Sequence, residues 1–99
     1  MKNYSADLQK LFLEMMMADA QMFVRVGNIF NPANFDRSLQ DTARFIQEYT
    51  DKHKSLPNKD QVKATSGVEL KDVGEVQEAQ HDWFLEEFEG FSRRQELER

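Results

Sequence analysis

The sequence contains no cysteine, only two prolines and four glycines, and no apolar run near the roughly 18 residues that a membrane-spanning helix needs. Without cysteine there is no disulfide framework, no thiolate metal site and no cysteine nucleophile, a usage that a reducing cytoplasm tolerates. The start, Met1-Lys2-Asn3-Tyr4, lacks the apolar stretch of a signal peptide, so the expected compartment is the cytoplasm. The four glycines are isolated and none stands in a G-x-x-x-x-G-K loop able to cradle a phosphate. Ser5, Ser38, Ser55, Ser66 and Ser92 have no nucleophile-elbow context. His53 and His81 lie 28 positions apart without the helical His or carboxylate spacing of a metal site. His53, between two lysines, reads as a solvated helix end, and His81 as a surface residue or the partner of a carboxylate. Neighbouring acids such as Glu86-Glu87 point to different helix faces and cannot converge as a hydrolytic pair must. The expectation is a chain that is not itself an enzyme, with no metal and no cofactor.

What remains is 99 residues, 39% hydrophobic and 31% charged, with eight Phe and five Met, enough for one small core and not for two. Net charge is −5, unevenly placed: residues 1–67 carry nine Lys/Arg against eight Asp/Glu, whereas residues 68–99 carry four against ten. An acidic domain repels a phosphate backbone, so tight DNA binding is not expected. Residues 58–72 mimic a helix-turn-helix in outline, but the helix that follows would turn Asp72, Glu75 and Glu78 towards phosphate.

Apolar spacing of three and four predicts an all-α fold without a sheet. The first helix spans 5–17 with Ser5 as its cap; the second is capped by Asp19 and runs through Met22, Phe23, Val26, Ile29 and Phe30 until Asn31-Pro32 stops it. The third opens at Asn34-Phe35-Asp36, lines up Phe35, Leu39, Thr42, Ala43, Ile46 and Tyr49, and ends in Lys52-His53-Lys54. After Leu56-Pro57, Asn58 and Gln61 have the form of a capping box for a short helix ending before Gly67. A connector over 68–74 leads to a long final helix from about 75, with Val76, Ala79, Trp83, Phe84, Phe88 and Phe91 at helical spacing. The predicted core includes Leu11, Phe12, Phe23, Val26, Ile29, Phe35, Leu39 and Ile46. The organisation expected is a helical-bundle head over 1–70 followed by an assembly helix over 71–99, one domain overall.

Two surfaces stand out. Four aromatics in nine residues give the last helix more apolar area than so small a head is expected to cover, so Trp83, Phe84, Phe88 and Phe91 form the expected contact with another chain, the alternative being that the stripe folds back onto the head of its own chain. In the run Met15-Met16-Met17 three successive side chains cannot all face inward, which makes Met16 and Met17 a weaker candidate partner surface. The last residues, Glu96-Leu97-Glu98-Arg99, carry no helix-stop signal, so the chain is expected to be part of a longer protein or to have its helix completed by another chain.

Met22-Phe23-Val24-Arg25-Val26, Phe30-Asn31-Pro32-Ala33-Asn34-Phe35, Ala43-Arg44-Phe45-Ile46 and His53-Lys54-Ser55-Leu56-Pro57 together resemble the N-terminal domain of DnaB-type replicative DNA helicases, in particular those of large tailed phages. Asp82-Trp83-Phe84-Leu85, Glu87-Phe88, Phe91 and Arg93 to Leu97 look like the first arm of that family's helical hairpin, here truncated, and the connection before it is shorter than in bacterial members. The resemblance implies a non-catalytic collar: hairpins of neighbouring subunits pair, six domains form a ring as a trimer of dimers, and the heads contact primase or a helicase loader during DNA replication in the host cytoplasm. ATP and Mg would belong to a separate motor domain. Two alternatives stand beside it, the helicase-binding C-terminal domain of a primase and a free-standing helical adaptor. A primase would carry a polymerase domain upstream, whereas Met1 is expected to be a native start, which favours the helicase over the primase.

Overall fold

The computed structural model describes residues 4–98. Among them are five α-helices and one turn of 3-10 helix, with no strand. Local chemistry sets most of the boundaries. Helix α1 (Ala6–Ala18) begins where the Ser5 hydroxyl accepts the Leu8 amide at 3.2 Å, and α2 (Ala20–Val26) where the Asp19 carboxylate accepts the Gln21 amide at 3.0 Å. The second helix ends at Val26 and does not reach Phe30 as expected, because Gly27 and Asn28 are poor helix formers ahead of Asn31-Pro32. Pro32–Asn34 makes the 3-10 turn, which displaces the start of α3 (Arg37–His53) to the cap residue Asp36. Helix α3 closes at Lys54, whose left-handed backbone (φ 57) gives its amide to the Thr50 carbonyl.

Both halves of the expected capping box are present at α4 (Lys59–Ser66): the Gln61 amide donates to Asn58 Oδ1 and the Asn58 amide to Gln61 Oε1, each at 2.8 Å. Gly67, at φ 80, ends it in the left-handed conformation that glycine adopts without strain. Helix α5 (Glu78–Glu98) starts three residues later than expected, after Gly74 turns the chain with φ 75. Its start is held by Gln80, whose side-chain oxygen accepts the Gln77 amide at 2.8 Å, the reach-back half of a capping box.

Of the expected core, Phe12, Phe23, Val26, Phe35, Leu39 and Ile46 are buried, whereas Leu11 and Ile29 are half-buried at its edge. The expectation for the last helix is corrected. Phe84, Phe88 and Phe91 are fully buried, and they lie in one cluster with Phe12, Phe30 and Phe35 of the head. The helix folds back on its own chain because the head supplies aromatic partners for each of them. Phe12 meets Phe84, Phe88 and Phe91 at ring distances of 5.8, 5.4 and 5.6 Å, and Phe35 meets Phe91 at 5.2 Å. Residues 78–92 therefore complete the core of 4–70 and are not a separate arm. The radius of gyration, 12.6 Å, agrees with the ~13 Å of one compact domain of this length. Met16 is likewise fully buried in this core, and of the two candidate methionines only Met17 reaches the surface.

Candidate functional site

Helices α1 and α5 lie side by side in opposite directions, since the Tyr4 ring meets Phe91 at 5.5 Å while Asp19 Oδ2 meets His81 Nε2 at 3.0 Å. That contact gives His81 a carboxylate partner from 62 residues away, not from its own helix. Tyr4 also accounts for the glycine inside α5: a Cβ on Gly90 would stand 2.7 Å from the Tyr4 hydroxyl. Two buried polar groups on α1 fix the segments around it. Gln9 accepts the Asp36 amide at 2.6 Å and donates to the Tyr4 carbonyl at 2.8 Å. Glu14 accepts the Lys71 amide at 2.8 Å, which seats Leu70 in the core and lays the connector across α1. Neither was identified from sequence, although Gln9 stands in register with Phe12, Leu13 and Met16, a polar residue on an inward stripe.

The pinned connector, α1 and the first turns of α5 enclose an apolar groove of about 320 Å³, lined by Leu11, Met15, Val73, Val76, Ala79, Gln80 and Trp83. Trp83 is 40% exposed, its ring 6.3 Å from that of Phe12. Of the four aromatics expected to face a partner, it alone is exposed. Met17 borders a smaller recess with Glu14, Lys59, Lys71 and Asp72. Hydrogen bonding to the Gly74 amide, and secondly the nearby Lys59 ammonium, holds the Asp72 carboxyl below its usual value.

A larger groove, about 960 Å³, lies on the opposite flank of α5 against residues 25–32. Its polar groups largely satisfy one another. Arg93 pairs with Glu89 at 2.6 Å, Asn31 donates to Glu96 at 3.4 Å, Gln47 to the Phe30 carbonyl at 3.2 Å and Ser92 to the Ile29 carbonyl at 3.4 Å. It holds polar residues but no nucleophile beside a base. Among the described residues no three His, Cys, Asp or Glu are grouped so as to hold a metal ion, and no helix is long and apolar enough to cross a membrane. His53 is exposed at the end of α3 with its ring 4.4 Å from that of Tyr49. No family model, curated protein or solved structure matches the chain.

Proposed function

We propose that this chain is a protein-interaction module of the kind that DnaB-type replicative helicases carry at their N-terminus, joining subunits in a ring and receiving primase or a helicase loader. The observation that carries the reading is Trp83, a large aromatic left 40% exposed over an apolar groove. Its support from sequence is the pattern around Phe30-Asn31-Pro32 and Leu56-Pro57, which forms the links between α2, α3 and α4, with Pro57 buried. With Phe84, Phe88 and Phe91 in the core, subunit contact falls to residues that α5 leaves outside, such as Leu97 at 80% exposure. ATP and Mg would act in a motor domain of the parent protein, in the host cytoplasm if a phage encodes it.

The test lies in the reading frame beyond Arg99 and in the protein it encodes. A P-loop motor is expected downstream, and removing residues 1–98 from that protein should leave ATP hydrolysis while abolishing stimulation of primase. A stop codon at that point, or a polymerase domain upstream, would overturn the helicase reading in favour of an adaptor or a primase respectively.

A further inference from the structure

We propose that the groove beside Trp83 is a docking site for a basic amphipathic helix of a partner protein. The inference rests on the reading of the chain as an interaction module, though not on its kinship with helicases. The floor of the groove is apolar: Leu11, Met15, Val76 and Ala79, with Trp83 forming one wall. Burying an apolar helix face there releases water from surface already half shielded, and a partly exposed Trp with an adaptable Met is the composition of an interface anchor.

Charge selects the occupant. Asp72 and Glu75 stand next to Val73 and Val76 in the connector, Glu78 and Asp82 next to Ala79 and Trp83 in α5, and Glu86 three residues beyond Trp83 on the same side; all five are exposed. Asp72 has Lys59 at 3.6 Å, but Glu75, Glu78, Asp82 and Glu86 make no ion pair among the described residues. Exposed carboxylates beside an apolar floor, four of them without an ion pair among the described residues, repel nucleic acid and acidic helices and favour a helix with Lys or Arg flanking its apolar stripe. A second copy of this chain is a poor match. Its basic run Lys52-His53-Lys54 ends a helix whose apolar residues Leu39, Ala43 and Ile46 are buried in its own core, and Lys63 and Arg93 already pair with Glu69 and Glu89.

Trp83 is the only tryptophan in the sequence, so its emission reports on the groove without a label. The probes are three tryptophan-free peptides of about 18 residues, five helical turns: one with a Leu stripe flanked by Lys, one with the same stripe flanked by Glu, and one with the Leu/Lys composition scrambled around the helix. The Leu/Lys stripe peptide should shift Trp83 emission to a saturating limit at one peptide per chain, and the other two should not. Reversing the rim with Asp82→Lys and Glu86→Lys should weaken binding by about tenfold or more with helical circular dichroism unchanged. The same change at Glu48→Lys and Asp51→Lys, on α3, which contributes nothing to the groove, should leave it intact. Equal binding of the acidic or scrambled peptide, equal loss from the α3 reversal, or an emission shift with protein concentration alone would each overturn the proposal. The last of these would make the occupant a second copy. None of these outcomes depends on what lies beyond Arg99, so this proposal and the helicase reading fail separately.

Discussion

The two ends of the chain and its middle are stabilised in different ways. Where α1 meets α5, Phe12 is surrounded by Phe84, Phe88 and Phe91, and Phe30 and Phe35 extend the cluster, with ring centroids 5.2–6.2 Å apart. Every one of those contacts joins residues distant in sequence or in different elements. Where α3 meets α4, the buried side chains are smaller, Leu39, Ala43, Ile46 and Val62, and polar groups close the joint. Thr42 donates to the Ser66 hydroxyl at 2.9 Å, and Ser66 in turn to the Val62 carbonyl at 2.8 Å. The aromatic joint draws on buried area and ring geometry; the middle draws on local caps, the Ser66–Val62 bond within α4 and the Thr42–Ser66 bond that ties α4 to α3. Damage to the first should spread through the whole molecule, and damage to the second should stay local.

The sharpest way to break that contrast is Phe88→Ala. Phe88 touches Phe12, Phe30, Phe35, Phe84 and Phe91, and a cavity at its position should cost about 3–5 kcal/mol, a large part of the 5–15 kcal/mol typical of a domain. Urea denaturation followed by far-ultraviolet dichroism checks it, and a loss below about 1 kcal/mol would put Phe88 outside the core. Asn58→Ala, which removes one half of the α4 capping box, should cost about 1 kcal/mol. Hydrogen exchange should show the loss concentrated in α4 amides, with α1 and α5 protected as before.

Gly90 gives a smaller and more discriminating test. In a helix Ala is favoured over Gly by about 1 kcal/mol, but here a Cβ meets the Tyr4 hydroxyl, so Gly90→Ala should change the thermal midpoint little in the native sequence. In a Tyr4→Ala background the same substitution should stabilise by about 1 kcal/mol. Additive effects in that double-mutant cycle would show that Tyr4 does not press on α5.

Acid should have the smallest effect, confined to exposed carboxylates. The Ser38 hydroxyl and then its amide hold Asp36 below its usual value; the Lys63 ammonium does so for Glu69, and the Gly74 amide, then Lys59, for Asp72. A carboxyl with a depressed folded value contributes stability above the unfolded value near 4 and loses it as pH falls through the folded one. Urea midpoints should therefore decline below about pH 4. Asp36→Asn, which keeps a good capping side chain, should flatten part of that decline without shifting the plateau. Lys63, raised mainly by its hydrogen bond with Glu69, contributes in the opposite direction and is lost only in strong base.

What could be read from sequence follows the same division. Ser5, Asp19 and the Asn58–Gln61 pair were legible because a cap is a contract between neighbours, needing three residues and no knowledge of the rest. The apolar stripe on α5 was legible as a stripe, but periodicity says that a face is buried and not what buries it. Covering it requires Phe12 of α1 to converge with Phe30 and Phe35 from the links on either side of the 3-10 turn, which no local pattern encodes. For the same reason spacing alone groups Trp83 with its neighbours, although its position on the helix, turned away from Phe84 and Phe88, leaves it at the edge of the core. Gln9 and Glu14 carry a further lesson: a polar residue on an inward stripe marks where a distant backbone amide will be received.

The junction of α1 with α5 also sets an order of events during translation. Phe12 is synthesised first, and its buried neighbours Phe84, Phe88 and Phe91 follow at least 72 residues later, roughly 4–14 s at about 5–20 residues per second. Until then α1 can pack on α2 and α3 but lacks the α5 aromatics that surround Phe12, while α3 and α4 can form from local signals alone. The aromatic joint of this core can therefore close only once α5 has been made, and a chain stopped before Glu78 should expose Phe12 to solvent or to a non-native partner.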